Sequence, residues 1–433
     1  MSDYLKFLAT KERQAETLGA PCVPGDVHPT LHDWQSEIVC WAVSTGRAAI
    51  WADTGLGKTF MQIEWARLSG DTSLIVAPLA VCAQTVREAH KLGIDARYVR
   101  HGDEITGPGM WVTNYEMVKH FDPTALDAVV LDESSILKNS SGAMRSLLIE
   151  HFRPVPRRLS CTATPAPNDP EELTNQAEFL GVISRAEMLA AYFVHDSDAG
   201  WRLKGHARRP MFKWMASWAL AIRLPSDLGY SDDGYVLPGL EIHSHLLAVD
   251  VVPDGQLFAT EIGGVGGRAM VRRATLTARC EKAAEIVLAE PDEPWLIWCG
   301  LNDESDLLSK LIPGSVNIRG SMSPEDKADL LLGFADGEFL HMVTKPSLAQ
   351  FGLNYQNCAR MIFVGLSDSY EAYYQSARRC YRYGQSRIVH AHIVLSDLEA
   401  QIATNVRRKE REASRSIAEL VEQMTASRME IVA

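Results

Sequence analysis

The chain has 433 residues, 46% hydrophobic and 23% charged, with eight cysteines and a formal net charge of −12. That length predicts two α/β domains of about 150–200 residues rather than one core. No apolar run reaches the roughly 18 residues that would suggest a membrane span, and the N-terminus lacks the apolar core of a secretory signal, so a cytoplasmic protein without a membrane partner is expected. The cysteines are scattered, form no CxxC pair, and read as reduced structural thiols. The negative charge speaks against wholesale wrapping by nucleic acid but leaves room for a local basic groove.

Residues 1–30 read as a lead-in containing Pro21, Pro24 and Pro29. Leu31-His-Asp-Trp-Gln35 then opens a helix over Ser36–Val43. Gln35 has two readings. Its amide offers a donor and an acceptor together, which suits adenine; alternatively the segment is a helix start capped by Asp33, and alone that is the simpler account.

The strongest local signal follows. Ala48-Ala-Ile-Trp-Ala52 is patterned as a buried strand, and Phe60–Leu68 has helical apolar spacing. Between them, Asp53-Thr-Gly-Leu-Gly-Lys-Thr59 ends in Gly57-Lys58-Thr59, the arrangement of a phosphate-binding loop with Ala52 in place of the first glycine. Thr54, Gly55 and Gly57 would shape the cradle, with amides at the helix start facing the phosphates. Lys58 would sit on the β/γ-phosphates and Thr59 on Mg²⁺.

Further apolar runs, Ser73–Pro78, Met110–Asn114 and Asp127–Leu131, predict strands, the last delivering Asp132-Glu133. Beside a phosphate loop, Asp132 is expected to hold Mg²⁺ and Glu133 to position and deprotonate a water. Arg157–Pro165 adds a strand whose Thr162 and Thr164 would emerge at the same sheet edge. Residues 184–245 break the pattern. Tyr192, Phe193, Trp201, Phe212, Trp214 and Trp218 are interleaved with Arg202, Lys204, Arg208, Arg209 and Lys213, which can stack bases and track phosphates. However, Met211, Met215, Trp218 and Ile222, with Trp214, fit one helix face, which favours core packing for the aromatics.

A second strand–helix alternation runs from Glu241 to Val394. Its lead-in includes Gly263-Gly-Val-Gly-Gly267 with Arg268, Arg272 and Arg273, read as a mobile loop facing a phosphate backbone. His243/His245 and His390/His392 place paired rings on strand faces. Four histidines could make a zinc site, but no cysteine spacing supports one and they read as ordinary strand residues. A final helix, Asp397–Arg428, would lie back as a brace. The segment Gln375-Ser-Ala-Arg-Arg-Cys-Tyr-Arg-Tyr-Gly-Gln385 carries Arg379 and Arg382, expected on one face of a helix Tyr370–Tyr383. Two guanidinium forks suit the charge of a transferring γ-phosphoryl group.

Taken in order, Gln35, Thr54–Thr59, Val76-Ala-Pro78, Thr113-Asn-Tyr-Glu116, Asp132-Glu133, Thr162-Ala-Thr-Pro165, Ser347 with Gly352-Leu-Asn354, and Gln375–Gln385 resemble the motifs of superfamily 2 helicase-like ATPases. The resemblance spans residues 30–395 and leans to the Snf2-type DNA translocases; the compact layout resembles small helicases encoded by bacteriophages and prophages. It implies two RecA-like doubly wound parallel-sheet lobes in tandem, at 31–182 and 241–396. A helical insertion at 183–240 and a C-terminal helix at 397–433 complete the expected layout.

It also implies ATP and Mg²⁺ as cofactors and a site completed by the second lobe. Arg379 and Arg382 would be arginine fingers and Gln35 an adenine contact, with Gly352 in a lobe-closure motif. Thr162, Thr164 and Gln375 would couple hydrolysis to movement. Thr113, Asn114, Ser347 and Asn354, with Arg268 and Arg272, would touch nucleic acid, DNA favoured over RNA. The implied protein is a monomeric translocase or helicase in a bacterial or phage-infected cell. Unwinding of RNA or hybrids, branch migration, and an ATP-switched recruitment module are the alternatives. Departures from the pattern are Ser134-Ser135 in place of Ala-His, the missing paired glycines before Leu353, and Ser367–Tyr374 in place of Trp-Asn-Pro.

Overall fold

The computed structural model describes residues 15–138, 142–166, 169–196, 200–248, 271–349, 354–365 and 370–400, and parts of 404–426. Arg268, Gly352 and the glycine run 263–267 lie outside the described residues. The chain divides into two compact units, Met1–Asp233 with Ala413–Ala433, and Gly234–Glu412.

In the first unit, β1 (Arg47–Ala52), β2 (Thr72–Ala77), β3 (Ala96–Tyr98), β4 (Gly109–Asn114), β5 (Ala128–Asp132) and β6 (Arg157–Cys161) form an all-parallel sheet. A small antiparallel hairpin follows, β7 (Phe193–Asp196) with β8 (Gly200–Leu203), and then β9 (Ala219–Ile222) joins the large sheet. The order is β3-β4-β2-β5-β6-β1-β9. β1, β2 and β4 are buried at all but their first residue, which is why they read as unbroken apolar runs: helices cover both faces of a parallel sheet. Helix α1 (Asp33–Thr45) precedes β1 and α2 (Lys58–Leu68) follows it.

The 183–240 stretch contributes to this unit's core. Met211, Phe212, Trp214, Met215 and Trp218 are buried together, which accounts for the aromatics as packing. Helix Arg208–Met215 stops short of Trp218, and Ile222 belongs to β9, not to the helix face expected for it. The reason is the apolar run Ala219–Ile222, which pairs with β1 from Ala49 to Ala52. Residues 417–422 and 424–426 are helical, and Leu420, Val421 and Met424 pack into the same core.

The second unit holds β10 (Leu240–Leu247), β11 (Trp295–Cys299), β12 (Val316–Asn317), β13 (His341–Thr344), β14 (Arg360–Val364) and β15 (Val389–Ser396). They form a parallel sheet in the order β10-β15-β14-β11-β13-β12. Helix α3 (Leu276–Leu288) lays Cys280, Ala283, Ala284 and Val287 against Trp295, Ile297 and Val394. Helix α4 (Tyr370–Ala377) ends earlier than expected. All eight cysteines are free thiols, and no helix among the described residues is long and apolar enough to cross a membrane.

Candidate nucleotide site

The strand order explains how distant residues meet. β6 lies between β1 and β5, so the carboxyl ends of three adjacent strands deliver the loop after Ala52, Thr162, and Asp132-Glu133 to one edge. Ligands of open α/β sheets bind at such edges.

The loop is a tight turn into α2. Gly57, at φ 71°, caps that helix, and a Cβ there would come within 2.4 Å of Gln35 Nε2. Gln35 is buried: its Nε2 donates to Leu56 O at 3.0 Å and its Oε1 accepts from His32 N at 2.9 Å. One amide therefore closes the start of α1 and pins the phosphate loop, while the N-cap itself is His32 rather than the expected Asp33. Lys58 Nζ donates to Ala52 O at 2.7 Å and Asp53 O at 3.2 Å. Burial pulls its ammonium below the usual lysine range, while the carboxylates of Glu133, Asp53 and Asp132 pull the other way. The first turn of α2 carries no acidic residue to compete with an anion.

Asp132 accepts from Gln62 Nε2 at 2.8 Å, and its carbonyl accepts from Tyr115 Oη at 2.6 Å. Burial pushes the carboxyl above its usual range; Glu133 adds to the rise, while the Gln62 bond and Lys58 oppose it. A half-buried carboxylate in this condition gains from a cation. Glu133 has φ 61°, the one positive value at a non-glycine among the described residues. Such a backbone costs about 1–3 kcal/mol and persists only where surroundings enforce it. Here Thr162 Oγ1 donates to Glu133 Oε1 at 2.6 Å and Ser135 Oγ donates to the same oxygen at 2.9 Å. Thr164 N donates to Thr162 Oγ1 at 3.0 Å, and Ser134 O accepts from Gln176 Nε2 at 3.0 Å. The Ser134-Ser135 pair thus supplies one hydroxyl to Glu133 and a second that accepts from Ser160 Oγ at 2.9 Å, while the Ser134 backbone ties the strand end to the neighbouring helix.

Other expected contacts are placed differently. Thr113 is fully buried, its hydroxyl donating to Val99 O at 2.7 Å. Asn114 is 4% exposed, accepting from Tyr98 Oη at 2.9 Å and donating to Glu116. Both belong to β4 and its immediate end, inside the sheet, so neither presents a surface for nucleic acid. Gln62, Tyr115 and Ser135 were not anticipated. For Gln62 a signal existed: it stands four residues after Lys58 on a helix, hence on the same side.

In the second unit, Arg379 and Arg382 follow the end of α4 and do not share a helix face. The chain turns there because Gln385 Nε2 gathers the carbonyls of Gln356, Cys358 and Cys380, and Gly384 takes φ 85°. Arg379 is buried and donates through Nε to Gln375 O at 3.1 Å and through Nη2 to Gln375 Oε1 at 3.3 Å. Arg382 donates to Asn354 Oδ1. Burial, with Arg379 beside it, lowers the Arg382 guanidinium to about 9. Asn354, expected on nucleic acid, instead holds an arginine. Arg272 pairs with Glu399 at 3.1 Å.

Ser347 is exposed beside a cavity of about 300 Å³ at the carboxyl ends of β11, β13 and β14, also lined by Arg272, Glu304 and Lys345. The wall of this cavity is braced by Arg279 and Glu304, fully buried and paired at 2.8 Å. Glu304 also accepts from Gly300 N and Leu301 N. Removing one partner of such a pair costs about 3–5 kcal/mol.

Comparison with known proteins finds one matching family model. Residues 278–384 match the model described as the helicase conserved C-terminal domain. They run from α3 to just past Arg382. The fold is similar to the Sulfolobus solfataricus SWI2/SNF2 ATPase core in complex with dsDNA. The TM-score is 0.44, with 17% identity, covering 87% of this chain and 90% of that one. No curated protein matches.

Proposed function

We propose that the protein is an ATP-dependent translocase or helicase that moves along nucleic acid, DNA in the first instance. The observation carrying this reading is the meeting of Lys58, Asp132, Glu133 and Thr162 at one sheet edge, in a chain whose residues 278–384 match a helicase domain. In this reading Gly55 and Gly57 shape the loop, Lys58 holds the β/γ-phosphates, and Gln35 positions the loop and meets adenine. Thr59 and Asp132 fit a magnesium ion, since half-buried Asp132, its carboxyl pushed above the usual range, gains from a cation. When bound, Mg²⁺ would neutralise charge on the phosphates.

Glu133 takes the proton of the attacking water, its carboxylate fixed by the Thr162 and Ser135 hydroxyls. Thr162 also bonds the chain leading to Thr164, so a change at Glu133 reaches the loop after β6. Arg379 and Arg382 act on the γ-phosphoryl charge during the cycle, oriented by Gln375 and Asn354. Ser347 and Lys345, both lining the cavity, meet a phosphate backbone in this reading.

The test is the ATPase rate of the purified chain against single-stranded, duplex and forked DNA and RNA. Stimulation is expected, falling with salt because backbone contacts release counterions, and Lys58→Ala abolishes it. Equal hydrolysis with and without every polynucleotide sinks the motor reading. Strand displacement from a forked duplex would mark a helicase; stimulated hydrolysis without it would mark a translocase.

A further inference from the structure

The four strand histidines come together. β10 and β15 pair in parallel with Glu241 opposite His390 and His243 opposite His392. Alternation along each strand puts Glu241, His243 and His245 on the same face as His390 and His392. His243 Nε2 lies 3.0 Å from His390 Nδ1. Glu241 Oε2 lies 3.4 Å from that Nδ1 and 3.7 Å from His243 Nε2. A tetrahedral zinc ion, with bonds of about 2.0–2.2 Å to nitrogen and oxygen, holds its ligand atoms about 3.3 Å apart. The three observed separations bracket that edge, so an ion fits with side-chain shifts of a few tenths of an ångström.

The surroundings favour the same conclusion. Two imidazoles and a carboxylate are the donor set of an open zinc site, with a fourth position left for water. The rings are held in place by stacking: His243 on His392 at 4.7 Å between centroids, His245 on His392 at 5.3 Å, and Trp295 against His392 at 5.5 Å. The nearby cations have their own carboxylates, Arg360 with Glu290 at 2.7 Å and Lys282 with Glu285 at 2.8 Å.

We infer that Glu241, His243 and His390 form a zinc-class divalent metal site that fastens the edge strand β10 to β15. Both imidazole nitrogens must offer a lone pair, so the ring now donating in the His243–His390 hydrogen bond moves its proton to its other nitrogen. The ion ties together residues 147 apart in sequence, at a strand that, among the described residues, is the edge of its sheet. The site is independent of the nucleotide reading and uses none of its residues.

The experiment is calorimetric titration of the chelator-stripped full chain with Zn²⁺, and of the same material with Co²⁺ followed by visible absorption. One saturable equivalent is expected, with cobalt bands of low coordination number and a melting temperature that rises with zinc. His243→Asn and His390→Asn abolish the equivalent. Glu241→Gln, at an exposed position, weakens it about 10-fold or more while leaving circular dichroism unchanged. His245→Asn, outside the trio, retains it. Absence of saturable binding of either ion overturns the site. So does weak, superstoichiometric binding that persists in the His243→Asn/His390→Asn double variant, or Glu241→Gln titrating like the wild type.

Discussion

The two units place opposite charges at comparable places. In the first, the carboxyl ends of β1, β6 and β5 bring a glycine loop, a hydroxyl and two carboxylates together, with Lys58 as the cation among them. In the second, the strand ends frame a cavity lined by Arg272, Glu304 and Lys345, and two arginines stand beyond α4. Arg382 is held there by the neutral amide of Asn354, and its lowered proton affinity marks a positive charge that burial and Arg379 make costly. A half-buried carboxylate pushed up in one unit and a guanidinium pulled down in the other are stresses of opposite sign. Asp132 would be relieved by a cation beside it and Arg382 by an anion beside it.

The largest expected effect comes from removing the arginines. If they serve the reaction whose acids lie in the first unit, Arg382→Ala lowers kcat of the nucleic-acid-stimulated ATPase by about 10³–10⁵-fold. Nucleotide affinity should change little, and Arg382→Lys should not rescue, because an ammonium cannot reproduce the fork. A loss of only about tenfold would separate the two units chemically and break the comparison. Glu133→Gln is next: about 10²–10⁴-fold in kcat, with ATP binding retained, measured by equilibrium binding beside steady-state hydrolysis. Ser135→Ala removes one of two hydroxyls on the same oxygen and should cost far less than Glu133→Gln, a contrast that isolates positioning from proton transfer.

How legible was this in the sequence? The parallel sheets were, because buried strands such as Ala48–Ala52 and Asp127–Leu131 are unbroken apolar runs with hydrophilic punctuation after them. So was the meeting of Lys58, Asp132, Glu133 and Thr162, since each stands at or beyond the carboxyl end of a strand and parallel strands end at one edge. The errors have a common cause: periodicity says which side a residue takes, not what it touches. Thr113 and Asn114 carry polar atoms satisfied inside the sheet, and nothing in their spacing separates that from an exposed contact. The helix through Arg382 was overextended because Gln385, which gathers three carbonyls and ends it, looks in sequence like any polar residue. The histidine pairs could be seen as one-faced on each strand, but only the β10–β15 register joins them.

A smaller effect tests the first unit's stress directly. Asp132 has a folded-state proton affinity raised above its unfolded value, so stability is lost as pH rises from the unfolded carboxyl range through the raised folded value. Asp132→Asn keeps an oxygen for Gln62 Nε2 and removes the charge. In nucleotide-free protein at neutral pH it should therefore raise stability, by about 0.5–2 kcal/mol, as for other functional residues held against their preference. Differential scanning calorimetry reads this, and added Mg²⁺–ATP should reverse the order by stabilising the wild type alone. A lower melting temperature for Asp132→Asn without ligand would mean that the carboxylate is structural.

The smallest effect belongs to the second unit and has the opposite sign in pH. Burial lowers His392 to about 4, and His245 and His390 are lowered for the same first reason. A histidine whose folded value lies below its unfolded one leaves the unfolded chain binding more protons between the two. Stability is therefore full above about 6.5 and falls as pH drops from there toward 4. His392→Asn removes one proton-linked contribution, so its melting temperature should fall less steeply across that window than the wild type's. Its absolute value near neutrality should be lower, since stacking with His243, His245 and Trp295 is lost. The difference in slope should amount to a few degrees over the window, read in chelator-treated protein so that metal does not contribute. Parallel curves for variant and wild type would show that the ring titrates alike folded and unfolded, and the acid sensitivity of the second unit would then have to come from elsewhere than this face.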